Sequence, residues 1–298
     1  MTAENWTLTI QTVVFHNEFE ALLRAFKAAA HAASRAQSIA LLSSWAIAWG
    51  DCSSSPTLTA EQLTELESIA GELGGDFTYT FFDSNLGSAA GHNRLAERSN
   101  DDFLLILNPD AEVSPTCIAI LLETIQPGVG SVEARQLPLE HPKDYDASTL
   151  ETVWSSTACL LTRRGTFREV GGFDEKTFFL YCDDVDYSWQ LQLAGFRVLY
   201  QPAATVFHDK RLSVRGEWLA TPSEEYYSAE AALLLAHKYS RPDLVKSLSK
   251  AFKSGSVEQK EALGEFSRRQ QSGSLVTPVD SNHQVAQFVE GNYAKHRF

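Results

Sequence analysis

The sequence is poor in basic residues. Lys and Arg total 25 against 38 Asp and Glu, which gives a formal net charge of −13. Proteins that bind nucleic acid need a broad positive surface for its phosphates, so this balance argues against nucleic acid as the main ligand. No apolar run approaches the ~20 residues of a membrane span. The first residues show no basic segment followed by an apolar one, so no secretory signal is expected.

Cysteine is also scarce. The four thiols, Cys52, Cys117, Cys159 and Cys182, are widely separated and never spaced as CxxC. This favours reduced cysteines over a disulfide framework or a zinc site, and with the missing signal it predicts a cytoplasmic protein. Hydrophobic residues make up 44% of the 298 residues, which is ample for a packed core and excludes a chain that is disordered throughout.

Segments with the apolar pattern of strands alternate with segments that repeat apolar residues at helical spacing along the first half of the chain. They predict strands over residues 6–15, 38–49, 77–82 and 102–107, and helices over 18–33, 59–73, 87–98 and 115–125. Thr59 is a candidate N-cap with Gln62 as its capping-box partner. This rhythm predicts an α/β fold with a mostly parallel, Rossmann-like sheet flanked by helices.

The pattern is weaker after residue 125. We expect an irregular edge over 126–150, a strand over 153–162, and short helices over 164–170 and from the acidic run near 183 to residue 194. Two strand-like segments, 196–200 and 203–208, precede an exposed loop from residue 209 and a helix over 223–239. The predicted domains are 1–210, with halves 1–125 and 126–210, and a mostly helical C-terminal extension over 211–298.

The segment Asn108-Pro109-Asp110 directly follows a buried strand. A carboxylate placed there can hold a divalent cation, because Mg²⁺ typically takes one or two protein carboxylates with phosphate oxygens and waters. All three residues also favour ordinary turns, and that reading stays open.

A second acidic cluster, Asp183-Asp184-Val185-Asp186, follows an aromatic run. Carboxylates this close repel one another unless a cation or solvent relieves them, and an apolar wall can raise one pKa into the range of a general base. Acidic residues are also favoured by the dipole at a helix start, so a structural role is an alternative. His208 ends an apolar segment and is structural unless it points at the same cation as Asp110.

Further polar residues fall at predicted strand ends, where ligands bind in parallel sheets. Asp51 lies in a polar loop, and residues 85–93 are rich in glycine and small side chains that allow close backbone approach. Arg94 could reach a phosphate or be a solvated helix residue. The segment matches neither the P-loop nor the G-x-G-x-x-G pattern.

The order of these motifs resembles the family-2 nucleotide-sugar glycosyltransferases with a GT-A fold, in particular their bacterial rhamnosyltransferase-like branch. The resemblance spans about residues 8 to 210. It rests on residues 85–94 (NLGSAAGHNR), 105–115 (LILNPDAEVSP) and 170–186 (VGGFDEKTFFLYCDDVD), followed by 194–198 (AGFRV) and His208.

The resemblance implies a role for each matching residue. Asp184 is the implied catalytic base, with Asp183 in the place of the family's glutamate. Asp110 and His208 are the implied ligands of Mg²⁺ or Mn²⁺. The implied donor-binding residues are Asp51, Asn85, Gly87, Asn93, Arg94 and Asn108.

Three segments depart from the family pattern. The family's TYN after the first strand reads Phe15-His16-Asn17. The family's DNxS loop reads Asp51-Cys52-Ser53-Ser54 and has lost its asparagine. Gln190 stands where an arginine usually follows the acidic pair, which removes a cation that could balance those carboxylates or contact the diphosphate. These changes bear on substrate contacts more than on the reaction.

The implied function is an inverting glycosyltransferase with a dTDP- or UDP-linked donor, rhamnose being one candidate sugar, and a glycan or lipid-linked acceptor. Peripheral contact with the inner face of the membrane and a homodimer are left open. The alternatives are a non-catalytic sugar-nucleotide-binding protein of the same fold, a nucleotidyltransferase and a structural interaction module. The segment after the first predicted strand lacks the glycine-rich, basic loop that a nucleotidyltransferase usually carries there.

Overall fold

A computed structural model describes residues 6–137, 143–208 and 220–293, and one sheet of eight strands runs through these residues. The strands are β1 (Trp6–Val14), β2 (Leu42–Asp51), β3 (Asp76–Phe81), β4 (Phe103–Leu107), β5 (Ala111–Val113), β6 (Val129–Leu137), β7 (Cys159–Arg163) and β8 (Arg197–His208). Their order across the sheet is β3-β2-β1-β4-β7-β6-β8-β5. The sheet is mixed: β1 to β4 run parallel to one another, and β6 runs parallel to β8. β7 is antiparallel to both β4 and β6, and β5 is antiparallel to β8.

Helices cover the sheet and extend beyond it. They are α1 (Phe19–Ser38), α2 (Ala60–Glu72), α3 (Gly87–Arg98), α4 (Cys117–Thr124), α5 (Arg164–Glu169), α6 (Asp183–Leu193), α7 (Pro222–Lys238), α8 (Pro242–Lys253) and α9 (Val257–Ser272). None of the helices in the described residues is long and apolar enough to cross a membrane.

The first half follows its hydrophobic pattern. Every residue of β4 is buried, as expected of a central strand that is covered on both faces. The capping box predicted for α2 is confirmed: Thr59 accepts from the backbone of Gln62, whose side chain accepts from the backbone of Thr59.

The prediction of an irregular edge over 126–150 is wrong for residues 129–137. They form β6, which lies between β7 and β8 inside the sheet. The sequence misleads here because Ser131, Glu133 and Gln136 are polar yet buried. Their hydrogen-bond partners come from other segments of the chain, which the local pattern cannot reveal.

The neighbouring strands also differ from the prediction. Residues 153–158 precede β7 as a loop. The two segments predicted over 196–208 form the single strand β8, whose pairing with β6 is irregular between Ala134 and Arg135. The partner residue in β8 jumps there from Gln201 to Thr205, so the extra residues bulge out around Pro202.

The three C-terminal helices share an apolar core with the preceding part of the chain. Trp154, Phe178 and Trp189 pack in one cluster with Leu233 of α7 and Phe266 of α9. The C-terminal helices therefore pack in one apolar cluster with the segment that leads into α6. The loop predicted from residue 209 lies outside the described residues as far as 219, and the proposed domain boundaries stay a prediction.

Candidate active site

Asp110 and His208 lie side by side at one end of the sheet. Nε2 of His208 is 3.2 Å from Oδ1 of Asp110. The histidine side chain is only 9% exposed, whereas that of Asp110 is 41% exposed. Ala111 at the start of β5 pairs with His208 at the end of β8, so the strand register sets the contact.

Asn108 and Gln136 define which imidazole nitrogen carries the proton. The amide Nδ2 of Asn108 lies 3.2 Å from Nε2 of His208, and Oε1 of Gln136 lies 3.0 Å from Nδ1. An amide nitrogen can only donate and an amide oxygen can only accept. Nδ1 therefore bears the hydrogen, and the unprotonated Nε2 accepts from Asn108 and lies beside Oδ1 of Asp110. The sequence analysis did not single out Gln136.

This arrangement fits a divalent cation. An unprotonated Nε2 and a carboxylate oxygen 3.2 Å apart repel each other, and either a proton on Nε2 or a bound cation relieves that repulsion. Two adjacent ligands of an octahedral Mg²⁺, each ~2.1 Å from the ion, lie about 3 Å apart. Within the described ranges no set of three Asp, Glu, His or Cys side chains converges on a metal position. The donor set thus suits an ion that is shared with phosphate oxygens and water.

The acidic pair at the start of α6 is asymmetric. Asp183 is buried, while Asp184 is partly exposed. Burial, then the charge of Asp184, raises the pKa of Asp183 to about 7, although a hydrogen bond with Ser88 opposes the shift. Two adjacent carboxyls with different environments divide the roles of acid and base. Asp183 is the member that retains a proton towards neutral pH, and Asp184 is the candidate base.

The loop over residues 155–158 is hydrogen-bonded both to the first turn of α6 and to the turn at Asn108. The backbone N–H of Ser155 donates to Oγ of Ser188 at 3.0 Å, and that hydroxyl donates to the carbonyl of Asp184 at 2.8 Å. Three residues further on, the carbonyl of Ala158 accepts from the backbone N–H of Asn108 at 3.1 Å. Three residues span at most about 10 Å. The first turn of α6 and the Asn108 turn are therefore held on the same loop.

Asp186, the third carboxylate of the acidic cluster, pairs with a cation from elsewhere in the chain. Gln190 donates to Oδ2 of Asp186 at 2.5 Å. Nζ of Lys238, at the end of α7, lies 2.7 Å from Oδ1 of Asp186 and 2.7 Å from Oδ2 of Asp174. Sequence reasoning missed Lys238, because a lysine 52 positions after Asp186 (238 minus 186) gives no local signal.

The glycine-rich segment begins α3 and contacts the chain just before the acidic pair. Gly87 has φ +71°, and a Cβ there would lie 2.4 Å from the carbonyl oxygen of Phe179. The next N–H, of Ser88, donates to that same carbonyl at 3.0 Å. The side chain of Asn85 accepts from the N–H of Gly87 at 3.3 Å. Only glycine permits this backbone conformation and approach without strain.

Asn93 and Arg94 lie in a cavity that Asp110 does not line. Asn93 donates to the carbonyl of Phe173 and to Glu175, both at 2.8 Å, and Arg94 pairs with Glu175 at 3.0 Å. Both line a cavity of about 520 Å³ whose lining residues do not include Asp110. Both side chains therefore bind the 173–175 turn in this structure. Their role toward a donor stays a prediction.

Asp51 is fully buried at the end of β2. Oδ1 accepts from the backbone N–H of Ser53 at 2.9 Å, and Oδ2 accepts from that of Thr57 at 2.7 Å and from the hydroxyl of Tyr79. Burial alone would raise the pKa of Asp51, but these hydrogen bonds together lower it. The carboxylate thus organises the loop over residues 51–57, and its contact with a nucleotide stays a prediction.

The raised pKa of Asp183 gives stability a measurable pH dependence. The native state keeps this proton up to about pH 7, whereas an unfolded chain releases it near ~3.9. The native state binds more protons between these values, so this carboxyl's contribution to stability falls as the pH rises from about 4 to about 7. Asp183→Asn stays neutral, and we expect it to raise Tm by ~3 °C or more at pH 8, roughly 1 kcal/mol, and little at pH 4.

Differential scanning calorimetry at pH 4, 6 and 8 measures this effect. Asp76→Asn makes the same chemical change at an exposed position of β3 and serves as the matched control. An equal Tm difference between Asp183→Asn and wild type at all three pH values would contradict the assignment of the proton to Asp183.

Part of the chain is similar to known glycosyltransferases. Residues 12–136 match the profile of the family described as "Glycosyl transferase family 2". An N-acetylglucosaminyl-diphospho-decaprenol L-rhamnosyltransferase of Mycobacterium tuberculosis is 31% identical over 164 residues, which cover 43% of this chain. The match spans about half of that relative, 52% of its length.

Two solved structures share the fold. GalNAc-T7, crystallised with UDP, GalNAc and Mn²⁺, aligns with a TM-score of 0.63 at 14% identity, covering 90% of this chain and 55% of that one. A mannosyltransferase of Pyrobaculum calidifontis in complex with GDP-Man and Mn²⁺ aligns with a TM-score of 0.55 at 13% identity, covering 95% and 79%. Residues 12–136 are therefore similar to glycosyl transferase family 2, the fold is that of GT-A glycosyltransferases, and the matched half of the chain is similar to a rhamnosyltransferase.

Proposed function

We propose that the protein is an inverting glycosyltransferase that moves a sugar from a nucleoside diphosphate to an acceptor hydroxyl. The observation that carries this proposal is that the loop over residues 155–158 bonds both to Asn108, beside the Asp110–His208 pair, and through Ser188 to the first turn of α6 with Asp184. A cation site and a carboxylate base are thus tied to one loop. The donor's diphosphate needs the cation, and the acceptor's proton needs the base.

Asp110 and His208 would hold Mg²⁺ or Mn²⁺, with Asn108 beside them. When bound, the ion supplies positive charge against the diphosphate that leaves as the glycosidic bond breaks. Such an ion also reverses the local sign for an anionic donor in a chain of net charge −13. Asn85 and Gly87 present the start of α3 to the donor, and Asp51 lies at the nucleotide end.

Asp184 accepts the proton of the acceptor hydroxyl. The acceptor oxygen forms its bond to the anomeric carbon as the bond from that carbon to the diphosphate oxygen breaks, so one displacement inverts the configuration. Asp183, which retains its proton towards neutral pH, adds no second charge beside the base. A glycosidase would instead use two carboxyls with water.

The substrates are proposed from the relatives. The Mycobacterium relative's name supports rhamnose as the sugar and a lipid-linked acceptor, and dTDP- and UDP-linked donors are the first to test. A lipid-linked acceptor would bring the protein to the inner face of the cytoplasmic membrane as a peripheral protein. A homodimer remains a separate proposal, which size-exclusion chromatography with light scattering tests.

A panel of sugar nucleotides, each with and without Mn²⁺, tests the function. We expect the matching donor to raise Tm only with the ion, by several degrees at concentrations well above Kd. Turnover with that donor then separates the enzyme from a non-catalytic binding protein, which the loss of the arginine at Gln190 would favour. No shift with any sugar nucleotide in the presence of Mn²⁺ or Mg²⁺ would contradict the proposal.

A further inference from the structure

A chain of buried polar side chains runs inward from the Asp110–His208 pair. Nδ1 of His208 lies 3.0 Å from Oε1 of Gln136. Nε2 of Gln136 donates to Oε1 of Glu133 at 3.3 Å, and Oε2 of Glu133 lies 2.7 Å from Nζ of Lys143. Each of these side chains behind the histidine is almost fully buried.

The far end of this chain is an ion pair that is removed from water. The side chains of Lys143 and Glu133 are 2% and 1% exposed. Nζ of Lys143 also donates to the carbonyl of Trp154 at 3.0 Å and lies 3.1 Å from the centre of its ring. A protein in which apolar residues of similar volume replace a buried ion pair is often at least as stable as the original. Stability therefore gives no reason for this pair, whereas the orientation of a neighbouring side chain does.

The pair fixes the amide of Gln136. Because Glu133 can accept but not donate when ionised, it selects the NH₂ group of Gln136 and leaves the amide oxygen for His208. That oxygen can pair only with an N–H, so it selects the Nδ1–H tautomer. Metal-binding histidines commonly owe their tautomer and ring orientation to such a second hydrogen bond.

We propose that Gln136 is a positioning residue for the cation site: it keeps the proton of His208 on Nδ1 and so leaves Nε2 unprotonated beside Asp110. Glu133 and Lys143 hold Gln136 in that orientation. The inference rests on the proposed function for its ion, but the tautomer is a property of the protein alone. Without the acceptor at Gln136, the Nδ1–H would lose this partner, and only the N–H of Asn108 would disfavour a proton on Nε2. A proton on Nε2 would bond to Asp110 and block the position of the ion.

The tautomer can be read directly by NMR. Long-range ¹H–¹⁵N spectra of metal-free, ¹⁵N-histidine-labelled protein at pH 8 distinguish a protonated Nδ1 from a protonated Nε2. The chain has 8 histidines, and the spectrum of His208→Asn identifies the signal of residue 208. We expect the Nδ1–H form in the wild type. The Nε2–H form in the wild type would overturn the proposal without any variant having to fold.

Gln136→Met removes the acceptor at nearly constant volume. We expect it to shift His208 toward the Nε2–H form and to weaken Mn²⁺ binding, measured by EPR without donor, about 10–100-fold. Gln11→Met is the matched control, since Gln11 is equally buried on β1 and its amide has no hydrogen-bond partner among the described residues. In Gln11→Met we expect the tautomer of His208 and the affinity for Mn²⁺ to equal those of the wild type.

The outcomes separate this inference from the proposed function. A folded Gln136→Met protein that keeps the Nδ1–H form and wild-type Mn²⁺ affinity would overturn the inference, even if the wild type transfers sugar. A shifted tautomer and weakened Mn²⁺ binding would support it, even if no sugar nucleotide proves to be a donor. The second result, with no turnover, would count against the proposed function only.

Discussion

Asp184→Asn is expected to lower kcat by ~10³-fold or more, while the affinity for the sugar nucleotide changes by no more than a few-fold. A general base typically contributes 10²–10⁴-fold, and asparagine cannot take up the acceptor's proton. Asp184 lies at the first turn of α6, where its backbone carbonyl accepts from Ser188. This contact does not depend on the side-chain charge, so the turn should persist.

Single-turnover kinetics and donor titration measure the two quantities separately. A loss in kcat alone indicates a group that acts in the transition state, whereas a loss in affinity alone indicates a binding contact. Asp184→Asn with nearly full turnover would refute the assigned base. Equal losses in donor affinity and rate would instead make Asp184 a binding residue.

Asp110→Asn has the second largest expected effect, and it acts on binding. The amide keeps the size of the side chain but removes the charge that holds the cation. We expect Mn²⁺ affinity to fall by about two orders of magnitude and the Mn²⁺-dependent part of donor binding to disappear with it. EPR for Mn²⁺ and calorimetric titration of the donor, with and without Mn²⁺, measure both effects.

Glu112→Gln is the matched control for Asp110→Asn. Glu112 lies two residues further along, in β5, and pairs at the surface with Arg24 at 3.3 Å. The same charge is removed from the same edge of the sheet, so a general electrostatic effect would appear in both variants. Unchanged Mn²⁺ binding in Asp110→Asn, or equal losses in both, would contradict the assigned cation site.

Much of the fold could be predicted because the central strands are buried on both faces. β1, β2 and β4 appear in the sequence as apolar runs, and the capping box of α2 is a local signal. β6 could not be predicted in the same way. Its polar residues are buried because partners such as Lys143 and His208 meet them in space, and no periodicity records that.

The candidate site likewise contains residues that the sequence predicts and residues that only the folded structure reveals. Asp110, Asp184 and His208 belong to short contiguous motifs that can be recognised in the sequence. Lys238 and Gln136 carry no motif, because each acts through a partner that folding brings to it. Lys238 places a cation 2.7 Å from Asp186, the third carboxylate of the acidic cluster. A buried carboxylate of a motif can thus be balanced from a helix far along the chain.

The most direct test of the account is a crystal structure with Mn²⁺ and a nucleoside diphosphate, in which anomalous scattering locates the ion. We predict one Mn²⁺ peak in contact with Asp110, His208 and the diphosphate, with the carboxylate of Asp184 opening onto the same cleft. An ion bound elsewhere, or a carboxylate of Asp184 that opens onto a different surface, would contradict it.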